Sequence, residues 1–305
     1  MAEFVNPNYK GPINRDPSDG ESGIVIYGYV PSAALAIVAL VTFTLALGGH
    51  LWRTLQFKPT RAFHALFATG CVLEIVGYGS RLSSHYRPFY VNSFVIQYFF
   101  IVIGPIAMQA ALYIGLAEAV RRISGRKGKG LLGFNPKFMV IGMIVADIIT
   151  TLIQVAGAAL VGTAESARYR GETSAVTPEQ ANDILLAGLC LQTVAFVIFI
   201  ILLSLCVLRS RKLPLTSQLP KLLSTLLFIS SILLLLRTTF RLAESAAGIF
   251  SVAASTEGLF GGLEYLPVVL TALLWVGIGL RQVLPEPQLA MDGEKLESHG
   301  ESLNA

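Results

Sequence analysis

The sequence predicts an all-α, polytopic membrane protein: a seven-transmembrane helix bundle with its N-terminus outside and its C-terminus in the cytosol. Three observations carry this. Of the 305 residues, 53% are hydrophobic and only 14% are charged, whereas soluble domains carry about 25% charged residues. Seven apolar stretches, at 29–52, 62–82, 94–120, 138–162, 184–208, 221–244 and 262–283, are long enough to span, since ~20 apolar residues cross a hydrocarbon core of ~30 Å. Between them lie short polar connectors whose basic residues fall mostly on alternate loops.

Those connectors orient the chain. Loop one carries Arg53, Lys58 and Arg61; loop three Arg121, Arg122, Arg126, Lys127, Lys129 and Lys137; loop five Arg209, Arg211, Lys212 and Lys221. The other side has Lys10, Arg15, Arg87, Arg168 and Arg170. The positive-inside rule then places the basic loops in the cytosol. Residues 1–26, with "NPN" and "DPSDG", read as a disordered extracellular tail; 27–284 form the membrane domain; 285–305 read as an acidic, disordered cytosolic tail. Cys71, Cys190 and Cys206 all fall inside spans, where small apolar packing is their expected role. The pI near 9.0 reflects the loops and not a nucleic-acid surface.

The spans carry polar groups at depth. The first closes on His50, and His64 opens the second; both are expected to pack at the interface. The second places Glu74 near mid-membrane and Arg81 seven residues on, with Tyr78 on the same face and Gly77 permitting close approach. The third holds Gln97, Gln109 and the helix-breaking pair Gly104-Pro105, which frees backbone carbonyls. The fourth places Asp147 near the middle with Gln154 two turns further, and the fifth contributes Gln192. In "LLLLRTTFRLAES" of the sixth, Arg237, Arg241 and Glu244 share a face, Arg237 lying about 22 Å along the helix. Glu264 opens the seventh.

Four acids (Glu74, Asp147, Glu244, Glu264) thus accompany three bases (Arg81, Arg237, Arg241), mostly in the outer half. Facing lipid, each would cost several kcal/mol, so they are expected to turn inward and meet around a chamber. Arg237 and Arg241 need an anion between them, from the protein or from a ligand. The ions form either an architectural network or a ligand site, and the glutamines are either ligand contacts or interhelical glue. Tyr27, Tyr29, Tyr86, Tyr90 and Trp52 read as interface belts.

Several activities are excluded. Every lysine lies outside the spans, so no retinal Schiff base forms on the seventh helix. The third span ends "LAEAVRR" and the seventh lacks Asn-Pro-x-x-Tyr, so familiar receptor switch elements are missing. An embedded zinc hydrolase would need His and Asp ligands at depth, and no late paired histidines occur. "GRKGKG" is not a phosphate loop and reads as a basic loop touching anionic lipid. No cofactor or metal is implied.

"EIVGYGSR" (74–81), "GP" with "AALY" (104–113), "DIITTLIQVAG" (147–157), "GLCLQ" (188–192), "RTTFRLAE" (237–244) and Glu264 occur in that order on successive spans. Together they resemble the fungal Rta-like family of lipid-translocating exporters, over about residues 27–283. The resemblance implies a plasma-membrane protein that moves amphiphiles such as sphingoid bases or sterol-like molecules, conferring drug or toxic-lipid tolerance. It carries over Glu74, Arg81, Asp147, Gln154, Gln192, Arg237, Arg241, Glu244 and Glu264 as the polar signature. Arg81, Arg237 and Arg241 would clamp an anionic head group, and Glu74, Asp147 or Glu264 an amine. One departure is visible: the family's His-Glu at the mouth of the last span is Leu263-Glu264 here, and Thr271 stands near the position of a deeper aspartate. The expected partners are amphiphilic or hydrophobic small molecules and membrane lipids. The alternative is a membrane-embedded cyclase or isomerase using Glu74 and Asp147 as acid and base.

Overall fold

In a computed structural model of the chain, the described residues are 11–18, 20–124, 133, 135–170, 175–214, 218–248 and 251–285, the side chains at 165, 166 and 168–170 excepted. The expectations for residues 1–10, the basic loop 125–130, Arg168, Arg170 and the tail from 286 fall outside them.

Among the described residues, seven helices are long and apolar enough to cross a membrane. We name them α1 (Ala33–Gln56), α2 (Arg61–Tyr86), α3 (Val91–Ser124), α4 (Pro136–Arg170), α5 (Pro178–Ser210), α6 (Lys221–Ala247) and α7 (Leu266–Ile278). The seventh span begins earlier than the apolar pattern suggests, at Glu257, and enters α7 through a π-helical turn, Phe260–Tyr265. It also ends earlier: Gly279 takes φ +69°, and a separate turn, Leu280–Val283, follows. The guanidinium of Arg53 lies over Gly279, where a Cβ would stand 2.0 Å from Nη1. It donates to the carbonyls of Val276 (2.7 Å) and Gly277 (2.9 Å), filling acceptors that a helix end leaves open.

Local signals start the helices. Ser32 Oγ accepts from the Leu35 amide at 3.4 Å. Thr177 and Gln180 form a reciprocal capping box, with Pro178 in the first turn. Within the spans, hydroxyls bond back to their own helix: Ser231 to Leu227 O, Thr238 to Leu234 O and Thr271 to Pro267 O, at 2.7, 2.8 and 2.8 Å. In an apolar solvent that removes the need for an external partner.

Each helix packs on the next and α7 returns to α1; α3 sits inside the ring against α2, α4, α5 and α6. Glycines set the close α2–α3 seam. A Cβ on Gly77 would stand 2.6 Å from Ile101 Cγ1, and one on Gly70 2.8 Å from Met108 Cγ and 2.9 Å from Gly104 O. The outward faces are apolar: Leu45, Leu152, Val194, Ile201 and Ile232 are exposed, as lipid contact requires. Cys71 and Cys206 are buried as expected, but Cys190 on α5 is exposed.

Residues 20–32 lie across the bundle end opposite the basic loops. Glu21 bridges to Tyr90, and Ser32 N donates to Glu257 at 3.2 Å. Trp52 and Tyr86 are exposed as belt residues should be, but Tyr27, within this strap, is buried against α2 and α3. Its ring packs edge-on to Phe94 at 5.0 Å, and its hydroxyl donates to Gln97 Oε1 at 2.5 Å and meets Ser84 Oγ at 2.9 Å. A belt position leaves the ring tip in the wet interface; here the chain folds back and covers it. Burial pushes the Tyr27 and Tyr29 phenols up to about 12.

Candidate functional site: a buried ion network split by the third helix

The polar residues do turn inward. Glu74, Arg81, Asp147, Gln154, Gln192, Arg237 and Glu264 are each no more than 1% exposed, and Arg241 is 7% exposed. They do not share one chamber: α3 divides them into two groups.

The first group lies among α2, α3, α6 and the π turn. Pro105 has no amide hydrogen, so Ile101 O, four residues earlier, has no helical donor. Arg237 Nη2 supplies one at 2.9 Å. The same guanidinium donates to Glu264 Oε1 through Nε (2.9 Å) and Nη2 (2.6 Å). Arg241 Nε lies 3.5 Å from that oxygen, and Arg241 Nη1 donates to Glu244 at 2.9 Å. Tyr98 places its ring 4.7 Å beneath the Arg241 guanidinium. The anion between Arg237 and Arg241 is therefore the protein's own Glu264. Phe260 and Glu264 of the π turn face inward together with Val268 and Trp275 of α7.

Arg81 is held separately. Its Nη2 donates to Tyr29 Oη (2.8 Å) and to both oxygens of Glu257 (3.0 and 2.9 Å), and Phe260 stacks beneath it at 3.9 Å. The expected anion clamp of Arg81, Arg237 and Arg241 is thus occupied by carboxylates of the chain.

Glu74 differs. Its Oε1 has no hydrogen-bond partner and lies against Gly104, where a Cβ would stand 2.6 Å away. Glycine there keeps space for the carboxylate. The charges facing it are Arg237, Glu264 and Arg241, but both arginines bond elsewhere. Tyr78, one turn on, is fully buried among Phe43, Phe260 and Tyr265 and forms an aromatic wall beside it.

The second group lies among α3, α4 and α5. Tyr113 donates to Asp147 Oδ2 at 2.9 Å. Gln154 donates to Gln192 Oε1 (2.7 Å) and to Gly188 O (3.3 Å), the glycine admitting the glutamine stem. Tyr113 and Gly104 are nine residues apart, two and a half turns, and so point to opposite sides of α3. Glu74 and Asp147 consequently approach α3 from opposite faces, and an acid–base pair acting on one substrate is not assembled.

At the basic end, His50 and His64 are fully buried and bond through Nδ1 at 3.1 Å. His50 Nε2 lies 3.1 Å from Ala272 O, a carbonyl that only accepts, so neutral His50 takes its other bond from His64 Nδ1–H. Among the described residues no group of three or more His, Cys, Asp or Glu is placed to hold a metal.

Sequence reasoning gave no site role to Glu257, Tyr98 or Tyr113, and read Tyr29 as an interface-belt residue where the structure sets it against Arg81. Glu257 lies seven residues before Glu264, a helical interval, but the apolar pattern starts the last span after it. The tyrosines carry no charge to mark them, and which ring meets which ion depends on packing.

Seven spans, apolar outer faces and an ion network held inside define a multi-pass integral membrane protein. The model of the family described as "RTA1 like protein" matches residues 67–286. This chain belongs to that family. It is 24% identical over 293 residues to protoporphyrin uptake protein 1 of Saccharomyces cerevisiae, covering 84% of this chain and 92% of the relative. Protein RTM1 of the same yeast is 27% identical over 235 residues (75% of this chain, 71% of the relative). The yeast sphingoid long-chain base transporter RSB1 is 25% identical over 175 residues, 57% of this chain and 43% of the relative. No solved structure matches.

Proposed function

We propose that this protein moves amphiphilic, lipid-like small molecules through or across the membrane, and that Glu74 receives a cationic head group. The single observation that carries the reading is the unpartnered Glu74 Oε1 in a network whose three arginines are already bonded to other carboxylates. A buried carboxylate without a partner is unfavourable by several kcal/mol, and an ammonium group supplies the missing donor and charge. Relatives named for a long-chain base and for protoporphyrin support an amphiphilic cargo. We place the strap end outside the cell and the basic loops in the cytosol, on the positive-inside rule, and the protein in the plasma membrane.

An anionic head group is the less favoured cargo, because it would have to displace Glu264 or Glu257. The enzyme reading loses its acid–base pair to the intervening α3.

The test is equilibrium binding of a fluorescent long-chain amine to the protein in nanodiscs, alongside amine flux in proteoliposomes. Loss of one charge-assisted hydrogen bond, about 1.5–3 kcal/mol, predicts roughly ten- to hundredfold weaker binding by Glu74→Gln. Equal affinity of Glu74→Gln and wild type, or binding of an anionic amphiphile alone, would overturn the assignment.

A further inference from the structure

The α3–α4–α5 group is left unused by the head-group reading, and it contains three buried polar atoms without partners. Asp147 Oδ2 takes the Tyr113 hydroxyl, but Oδ1 has none. Gln109 lies one turn before Tyr113 on the same face of α3 and is 1% exposed, and its Oε1 is also bare. Gln192, fully buried on α5, has an unpartnered Nε2.

Among the described residues no arginine compensates Asp147 as Glu264 is compensated. Among the described residues no ion pair includes Asp147, and the titratable group bearing on it is Tyr113 from α3. From α5, the residues turned to this seam are Gln192, Phe196 and Phe199, all uncharged. The rings of Tyr113, Phe196 and Phe199 pack on each other at 4.6 to 6.4 Å beside it and supply no further charge.

We propose that Asp147 and Gln109 form a second, separate site that binds a monovalent inorganic cation, a proton or a sodium ion, and that its occupancy is coupled through α3 to the Glu74 site. Two bare acceptor oxygens at membrane depth call for one cation or one donor. Protonation turns Asp147 Oδ1 into a donor, and a sodium ion takes oxygen ligands directly. α3 is the element both sites share, and its missing hydrogen bond, from Ile101 O to Pro105, spans the Gly104 contact of the Glu74 site. A shift of α3 that follows cation binding would move Gly104 against the Glu74 carboxylate. The coupling rests on the amphiphile-transport reading; the cation site does not.

The experiment is infrared difference spectroscopy of the full-length protein in nanodiscs, titrated with pH and with sodium against choline. A protonated-carboxyl band is expected in wild type and in Glu74→Gln. It should be lost on raising pH, or on adding sodium at fixed pH, and these two arms separate the proton from the metal ion. Asp147→Asn should lack the band, keep long-chain-amine affinity, and lose the response of flux to an imposed cation gradient. Gln109→Leu removes a bare acceptor but no charge, so it should shift the titration midpoint with amine affinity unchanged; this variant decides the matter if Asp147→Asn fails to fold. A wild-type spectrum indifferent to both pH and sodium overturns the cation site even where flux is normal. Weakened amine binding by Asp147→Asn, matching Glu74→Gln, also overturns it by making Asp147 part of the head-group site. A normal cation titration without any amphiphile flux would instead sink the transport reading and leave the cation site standing.

Discussion

Glu264→Gln tests whether the ion network is held by charge or merely by shape. Glu264 Oε1 takes two bonds from Arg237, at 2.9 and 2.6 Å, and lies 3.5 Å from Arg241, while its Oε2 has no partner. A glutamine fits the same space and can offer its oxygen to Arg237. What it removes is one negative charge facing two guanidiniums that are 1% and 7% exposed. Opposite charges about 4 Å apart gain about 4 kcal/mol at an effective dielectric of 20. Breaking a buried pair from one side costs about 3–5 kcal/mol. Arg241 keeps Glu244 and the glutamine oxygen still accepts, so we expect a loss near the lower bound, about 3 kcal/mol. The assay is reversible unfolding in mixed detergent micelles, read by circular dichroism. The double variant Arg237→Met/Glu264→Met removes both ends of the pair and should recover most of the loss. About 1 kcal/mol should remain, because Ile101 O then has no donor. Glu264→Gln within about 0.5 kcal/mol of wild type, or a double variant as unstable as the sum of its parts, would refute the reasoning.

Three further outcomes follow from the geometry. Gly157→Ala should destabilise by about 1–3 kcal/mol, measured by the same unfolding, since its Cβ would stand 2.5 Å from Leu185 N and 2.7 Å from Leu185 Cα. Glu257→Gln should loosen the strap, because Glu257 joins Arg81 to Ser32 N; hydrogen–deuterium exchange over residues 24–32 should quicken while that of α3 is unchanged. The Tyr27 and Tyr29 phenols titrate near 12 in the folded chain and near 10 when freed. As pH rises past about 10 the opened strap releases protons and the closed one does not, so strap stability is present below pH ~10 and falls between ~10 and ~12. Tyr27→Phe with Tyr29→Phe should remove that step from a protease-accessibility profile.

The sequence by itself determined the class of fold, the count of spans and the inward turn of the charges. Those follow from solvent: hydrocarbon accepts neither an unpaired backbone nor a lipid-facing ion, so apolar length and charge position are legible without knowing any neighbour. It also marked Gly104-Pro105 as a source of free carbonyls, because proline's missing donor is a local property. That Arg237 fills the carbonyl of Ile101 was not readable, since the two residues meet only when α6 packs on α3. The same holds for the division of the polar residues. Glu74 and Asp147 look alike in the chain, two acids at similar depth. Only the packing of α2 and α4 on opposite faces of α3 separates them, leaving one beside a saturated arginine network and the other beside a tyrosine. Depth is set by distance along one helix; partnership is set by rotation between helices, and the rotation is decided by glycines and side-chain volumes from every element at once.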